Sequence, residues 1–234
     1  VFFRYTENGY ISAEPQTPLL TYAQKKIVAS KQNSGRIILS SVKDENTIYA
    51  GKLFQHFLKH HGVQFNGTVK LGGVKEGIDK LIYRYVSRLD LEQLISKLLE
   101  FSNNFTTNQL LITAGAKTYG PPGNLEKGVI AATDFAVNVL KINDMNIAEG
   151  SGISRENRLS AWHMLQVLEK FEPYHQLMRH KGREYFKTGT LYGINTRAGY
   201  IGDEKDGLYR YVVMINTPGK STKPIIQKLL RIFE

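Results

Sequence analysis

The chain contains no cysteine. That excludes disulfides, thiol nucleophiles and zinc sites built on thiolates. It suits the cytosol and equally an oxidising envelope, where stray thiols are a liability. No stretch approaches the roughly 18 apolar residues that a membrane helix needs. The Lys and Arg residues are scattered and form no long block of like charge. Repeats at solenoid spacing and low-complexity tracts are absent as well.

What is present is ordinary globular material. Of 234 residues, 41% are hydrophobic and 22% charged, enough for a buried core and too apolar for wholesale disorder. Lys and Arg number 31 against 21 Asp and Glu, a formal net charge of +10. A basic surface favours nucleic acid, an anionic membrane face or an acidic polymer without choosing among them. With its charges dispersed, this one implies no specific nucleic-acid site. The opening residues Val1-Phe2-Phe3-Arg4-Tyr5 read like the middle of a fold, so either a mature product or a piece of a longer chain is expected.

Strand-like patterns open the chain. Asn8-Gly9 predicts a hairpin between residues 1–5 and 10–13. The apolar run Arg36-Ile37-Ile38-Leu39 suits a buried strand. Tyr49, Leu53, Phe54, Phe57 and Leu58 recur at helical spacing and predict a helix over 47–61, and residues 63–71 look like another strand. From Asp90, a plausible N-cap, the period is helical, with helices expected from 90, from about 104 to 116, from Asn124 to about 140, and over 160–171. Three strands follow, at 184–191, 196–202 and 208–216, the last two joined by a polar turn at 203–207, and an amphipathic helix covers 222–233. Strands, then helices, then strands with a helix make an α+β chain.

Three stretches carry candidate chemistry: Phe101-Ser102-Asn103-Asn104-Phe105 at a helical junction, Glu149-Gly150-Ser151-Gly152-Ile153-Ser154-Arg155, and Phe186-Lys187-Thr188-Gly189-Thr190-Leu191 on a strand. Singly each has a bland reading, as a helix cap, a turn and a strand end. In this order, Ser-x-Asn followed by Lys-Thr-Gly is two thirds of the active-serine signature Ser-x-x-Lys, Ser-x-Asn, Lys-Thr-Gly.

The wider text resembles the penicillin-binding protein 4 family of D-alanyl-D-alanine carboxypeptidases, peptidase family S13. The resemblance runs through Ile48-Tyr49-Ala50-Gly51, His61-Gly62-Val63 and Asn66-Gly67-Thr68 ahead of Ser102. It continues through the 149–155 stretch, like that family's Asp-Gly-Ser-Gly-Leu-Ser-Arg, and through Lys187 to Leu191 and Ala198-Gly199-Tyr200. It implies the C-terminal part of a β-lactamase/transpeptidase-like fold, an antiparallel sheet with a helical subdomain, preceded by part of an inserted β-rich domain. Residues 1–75 would be a partial inserted α/β accessory domain. Residues 76–234 would be the C-terminal portion of the transpeptidase-like domain, with helices at 90–172 and sheet and last helix at 183–234.

The resemblance also implies acyl transfer through a serine ester on peptidoglycan peptides ending in D-Ala-D-Ala, with β-lactams as inhibitors. Work in the bacterial periplasm or cell envelope is implied, and no metal or organic cofactor. Ser102 would relay a proton, Asn104 would bind the acyl carbonyl, and Lys187 would present positive charge to the cleft. The hydroxyls of Thr188 and Thr190 would bind the terminal carboxylate. The Thr190 N–H would serve the oxyanion hole, and Gly189 would let the substrate backbone approach.

The nucleophile motif departs from this pattern. The one Ser-x-x-Lys, Ser40-Ser41-Val42-Lys43, directly precedes text that in the family lies downstream of the nucleophile, and it follows a strand-like run. Ser40 therefore reads as a strand-end serine, and a preceding segment or another chain is expected to carry the nucleophile. The stretch from Arg155 to Lys187 is also shorter than in the family, with residues 176–183 replacing a Gly-Thr-Leu turn. A nucleophile-free binding or scaffold protein is the second reading, and a charge-driven nucleic-acid binder the third. His56, His60 and His61 read as a solvated helix end, and Trp162 as core or cleft wall.

Overall fold

The computed structural model describes residues 1–13, 17–203 and 207–232. The chain divides into two units, Val1–Arg84 and Tyr85–Glu234.

In the first unit β1 (Phe2–Thr6) and β2 (Gly9–Ser12) form the expected hairpin, with Tyr5 opposite Tyr10. The helix α1 (Thr21–Ser30) was not expected. Only Ala23 and Ile27 are buried on it, too brief a pattern to read as helical against its β-favouring Tyr22 and Val28. The next strand, β3 (Ser34–Arg36), is shorter and earlier than the apolar run and pairs with β1, so the order is β2-β1-β3. Ile37 still exchanges hydrogen bonds with Val1, at 2.9 and 3.1 Å, and Leu39 packs with Ala23 and Tyr49 in the core of this unit.

Next comes α2 (Lys43–His60), one turn longer at its start than the apolar spacing implied. Asp44 and Glu45 fill its first turn, where the helix dipole favours anions. Residues 63–71 form no strand. They run extended beside α2: Gln55 Nε2 donates to the Gly67 carbonyl at 3.0 Å, Lys59 Nζ lies 5.5 Å from the Phe65 ring centroid, and Val69 packs against Gly51. Phe65 and Val69 are thus spent on a helix and not on a sheet, while Val63 and Leu71 are exposed.

The second unit begins with α3 (Leu91–Phe101), started by a capping box between Asp90 and Gln93. Then follow α4 (Asn104–Tyr119), α5 (Leu125–Asn138), capped by Asn124, and α6 (Ala161–Phe171), capped by Ser160. Helices α4 and α5 cross at Gly115 and Gly128. A Cβ on Gly115 would lie 2.4 Å from the Gly128 nitrogen, so only glycine permits this approach.

A 3-10 turn, Glu172–Leu177, and the short β4 (Arg179–Lys181) precede β5 (Glu184–Leu191), β6 (Ile194–Asp203) and β7 (Gly207–Ile215). The order is β4-β5-β6-β7, all antiparallel. The expected turn at 203–207 lies largely outside the described residues, and so does Phe233. The last helix is α7 (Lys223–Ile232).

Strand alternation sorts the sheet into two faces. Phe186, Ile201 and Tyr211 pack on Ile226 of α7, with Val213, Leu229 and Leu230 around them. The other face meets the helices: the Tyr200 hydroxyl donates to the Leu168 carbonyl at 2.6 Å, and Arg210 pairs with Glu169 at 3.1 Å. Helices thus cover both faces, and α7 is fixed by Asn195, whose Oδ1 accepts from Thr222 N and Oγ1 at 2.9 and 3.0 Å.

Candidate active site

Ser102 sits at the joint between two helices. It is the C-cap of α3, with its N–H donating to Leu98 O at 2.8 Å and its backbone left-handed at φ 54° and ψ 52°. That region is uncommon for residues other than glycine, and it turns the side chain out of the helix. The capping role that Ser-x-Asn could have served falls instead to the middle residue: Asn103 Oδ1 accepts from Thr106 N at 3.0 Å. Ser102 and Asn104 are exposed, with Asn104 opening α4.

Lys187 comes from β5. Its Nζ donates to Ser102 Oγ and, at 2.7 Å, to the Thr188 carbonyl. Burial pushes its ammonium below the usual lysine range. The fold thus brings together the serine of one motif and the lysine of the other.

The two threonines are placed differently. Alternation along β5 sends Lys187 and Gly189 to the face that meets the helices, and Thr188 and Thr190 to the face that carries α7. Asn195 Nδ2 reaches Thr190 Oγ1 at 3.4 Å on that second face. The backbone tells a complementary story. The Arg183 carbonyl accepts from Gly202 N at 3.0 Å, so by alternation the polar groups of Tyr185, Lys187 and Gly189 turn toward β6. Those of Thr188 and Thr190 turn toward the other edge. There β4 pairs with β5 only as far as Phe186, opposite Arg179. Beyond Phe186 no strand pairs with that edge among the described residues, as an added strand requires. At Gly189 a Cβ would lie 2.6 Å from Thr196 Oγ1, so the position stays small.

The third stretch forms a closed loop. Glu149 accepts at one oxygen from Ser151 N (2.6 Å) and Asn108 Nδ2 (3.3 Å), and at the other from Asn157 Nδ2 (2.7 Å) and Ser154 N (3.2 Å). Burial works to raise its pKa. The hydrogen bonds from Ser151, Ser154 and Asn108 outweigh that and bring the carboxyl down to about 2. The sequence offered no signal for Asn108 or Asn157, beyond Asn108 lying one helical turn after Asn104. A depressed carboxylate stabilises the fold above its unfolded pKa and loses that contribution as pH falls through the folded one. Loosening of this loop is therefore expected between about pH 5 and pH 1, visible as loss of amide protection at Ser151 and Ser154. Glu149→Gln should abolish that acid transition. Because the carboxylate is partly exposed, the effect on global stability is small.

The histidine cluster belongs to the first unit. His56 and His60 stack with ring centroids 6.5 Å apart at the end of α2. Among the described residues no group of three or more His, Asp or Glu is arranged to hold a metal ion. Trp162, read as core or cleft wall, is largely exposed at the start of α6 and lines a small surface hollow with Ile142 and Gln166. Ser40 lies outside any helix, three residues before α2 begins at Lys43, and its Oγ accepts from Val42 N at 2.9 Å.

The arrangement is thus a serine at a helical joint, hydrogen-bonded to a lysine on a strand that β4 leaves unpaired beyond Phe186. The family model for the D-Ala-D-Ala carboxypeptidase 3 (S13) family matches residues 27–181, and the chain belongs to that family. Over 218 positions it is 27% identical to the D-alanyl-D-alanine carboxypeptidase DacB of Haemophilus influenzae, covering 82% of this chain and 45% of that protein. Crystal structures of penicillin binding protein 4 (dacB) from Haemophilus influenzae match the fold. One has a TM-score of 0.67 at 23% identity, covering 79% of this chain and 48% of that one. The other, complexed with a β-lactam, has a TM-score of 0.65 at 21% identity, covering 79% and 50%. The chain spans about half the length of these relatives.

Proposed function

We propose that this chain supplies the Ser-x-Asn and Lys-Thr-Gly walls of a serine-type D-alanyl-D-alanine carboxypeptidase or endopeptidase that acts on peptidoglycan stem peptides in the bacterial periplasm or envelope. The observation that carries the reading is the hydrogen bond from Lys187 Nζ to Ser102 Oγ beside the open edge of β5. An extended peptide would add along Thr188 to Thr190, with its scissile carbonyl near the Thr190 N–H. Because the hydroxyls of Thr188 and Thr190 leave the strand on the other face, this backbone N–H is the better-supported contact of the two threonines. The nucleophile's Oγ would attack the carbonyl carbon and the C–N bond to the leaving D-Ala would break. The proton taken from the nucleophile would reach the departing amine through Ser102, and water would then cleave the ester. Asn104 would hold the acyl carbonyl. Residues 1–75 would belong to an inserted accessory domain.

The nucleophile is assigned to a Ser-x-x-Lys outside these 234 residues. Ser40 supports this, since its hydroxyl is engaged by Val42 and it does not open the helix that Lys43 begins. The test is intact mass after incubation with benzylpenicillin. The 234-residue chain should keep its mass, and a version extended to include a Ser-x-x-Lys segment should gain one penicilloyl group. An adduct on Ser40 overturns the nucleophile assignment. No adduct on the extended protein overturns the enzyme reading in favour of a carboxylate-binding scaffold.

A further inference from the structure

The loop at 149–157 touches both walls of the candidate cleft. On one side it lies on the first turns of α4. The Gly150 N–H donates to Asn108 Oδ1 at 2.7 Å, Asn108 Nδ2 returns a bond to Glu149 at 3.3 Å, and a Cβ on Gly150 would stand 2.9 Å from the Thr107 carbonyl. Asn108 follows Asn104 by one turn, so the loop grips the helix end that carries Ser102 and Asn104. On the other side Arg155 Nη2 donates to the Tyr192 carbonyl at 2.7 Å, in the turn that leaves β5. Between these anchors the loop is internally tied. Asn157 Oδ1 accepts from Ala148 N at 2.8 Å, and its base is closed by the reciprocal Asn146 and Arg158 backbone pair at 2.9 and 2.8 Å.

We propose that this loop is a strap that sets the spacing between Ser102 and Lys187, with Glu149 as the positioning residue that holds it closed and Arg155 as its tie to the β5–β6 turn. Glu149 is at the hub because its two oxygens accept from four donors, three within the loop and one on α4. Removing the carboxylate frees the loop from α4, lets the helix joint drift from β5, and admits water around Lys187. The proposal rests on the reading of Ser102 and Lys187 as working parts of one cleft.

The test measures the Lys187 titration in the 234-residue chain by NMR of its side-chain nitrogen. It also measures acylation by penicillin in the extended, Ser-x-x-Lys-bearing protein. Glu149→Ala should return the Lys187 titration to the ordinary lysine range. It should lower the acylation rate constant about 10²-fold, the scale of a misplacement near 1 Å, with the penicillin dissociation constant little changed. Glu149→Asp should restore both, and Arg155→Ala should shift both in the same direction by less. Leu229→Ala, which unpacks α7 on the far face, should lose stability and leave the Lys187 titration in place. The strap is overturned if Glu149→Ala leaves the titration and the acylation constant at their original values, or if Leu229→Ala moves them equally. Failure of the extended protein to acylate at all sinks the enzymatic reading instead, and the NMR titration still decides the strap.

Discussion

Lys187→Met should lower the acylation rate of the extended, Ser-x-x-Lys-bearing protein by about 10³-fold, within the range expected when a proton-transfer group or a preorganised charge is removed. The same variant should melt no lower than the original. The rate expectation rests on the proposed role of Lys187 beside the Ser102 oxygen, and the stability expectation on burial, which disfavours the Lys187 ammonium. Methionine keeps the length of the stem and removes that penalty, so function is lost while stability is kept or gained, the trade expected of a group maintained for chemistry. Ser102→Ala should reproduce the rate loss in part, because on the proposed reading the nucleophile's proton reaches the departing amine through the Ser102 oxygen, to which Lys187 donates. Stopped-flow acylation and thermal melts, run on the same samples, check both halves. A melting temperature that falls with the rate would identify Lys187 as a structural residue.

The parts of this molecule that were legible in its sequence are those set by near neighbours. Asp90, Asn124 and Ser160 announce their helices because a cap is a contact over three residues. The strand at 184–191 matches β5 at both ends because turn residues bound it. Two errors came from short apolar runs. Residues 21–30 show just two buried positions, and residues 63–71 have strand composition but lie along α2, so the deciding partner is far in sequence. At the candidate site the motifs were visible and their meeting was not. Ser102 and Lys187 are 85 residues apart, and Asn108 and Glu149 are 41 apart. The family resemblance drew Thr188 and Thr190 toward the carboxylate by their hydroxyls. Simple alternation along a strand already separates them from Lys187, and the structure follows the alternation.

The largest loss of stability is expected on the other side of β5. Glu184 is 2% exposed, and both of its oxygens are engaged: Arg197 Nε donates at 2.7 Å, Arg197 Nη2 reaches the second oxygen, and the Tyr211 hydroxyl donates to the first. The Arg197 guanidinium also lies over the Phe186 ring, 3.7 Å from its centroid. Glu184→Ala leaves a guanidinium with little access to water and a buried phenol, both without an acceptor. Breaking a buried pair in this way costs about 3–5 kcal/mol. For a unit of this size that is a fall in melting temperature of about 10 °C. The double variant Glu184→Leu/Arg197→Met should recover most of the loss, because the penalty lies in the orphaned charge and not in the missing pair. In the extended protein the folded fraction should still acylate near the original rate, since the pair sits on the face away from Lys187. Thermal unfolding of the single and double variants decides the point: equal losses in both would place the stability in the ion pair itself, and no loss in either would show that Phe186, Ile201 and Tyr211 hold the sheet on α7 without it.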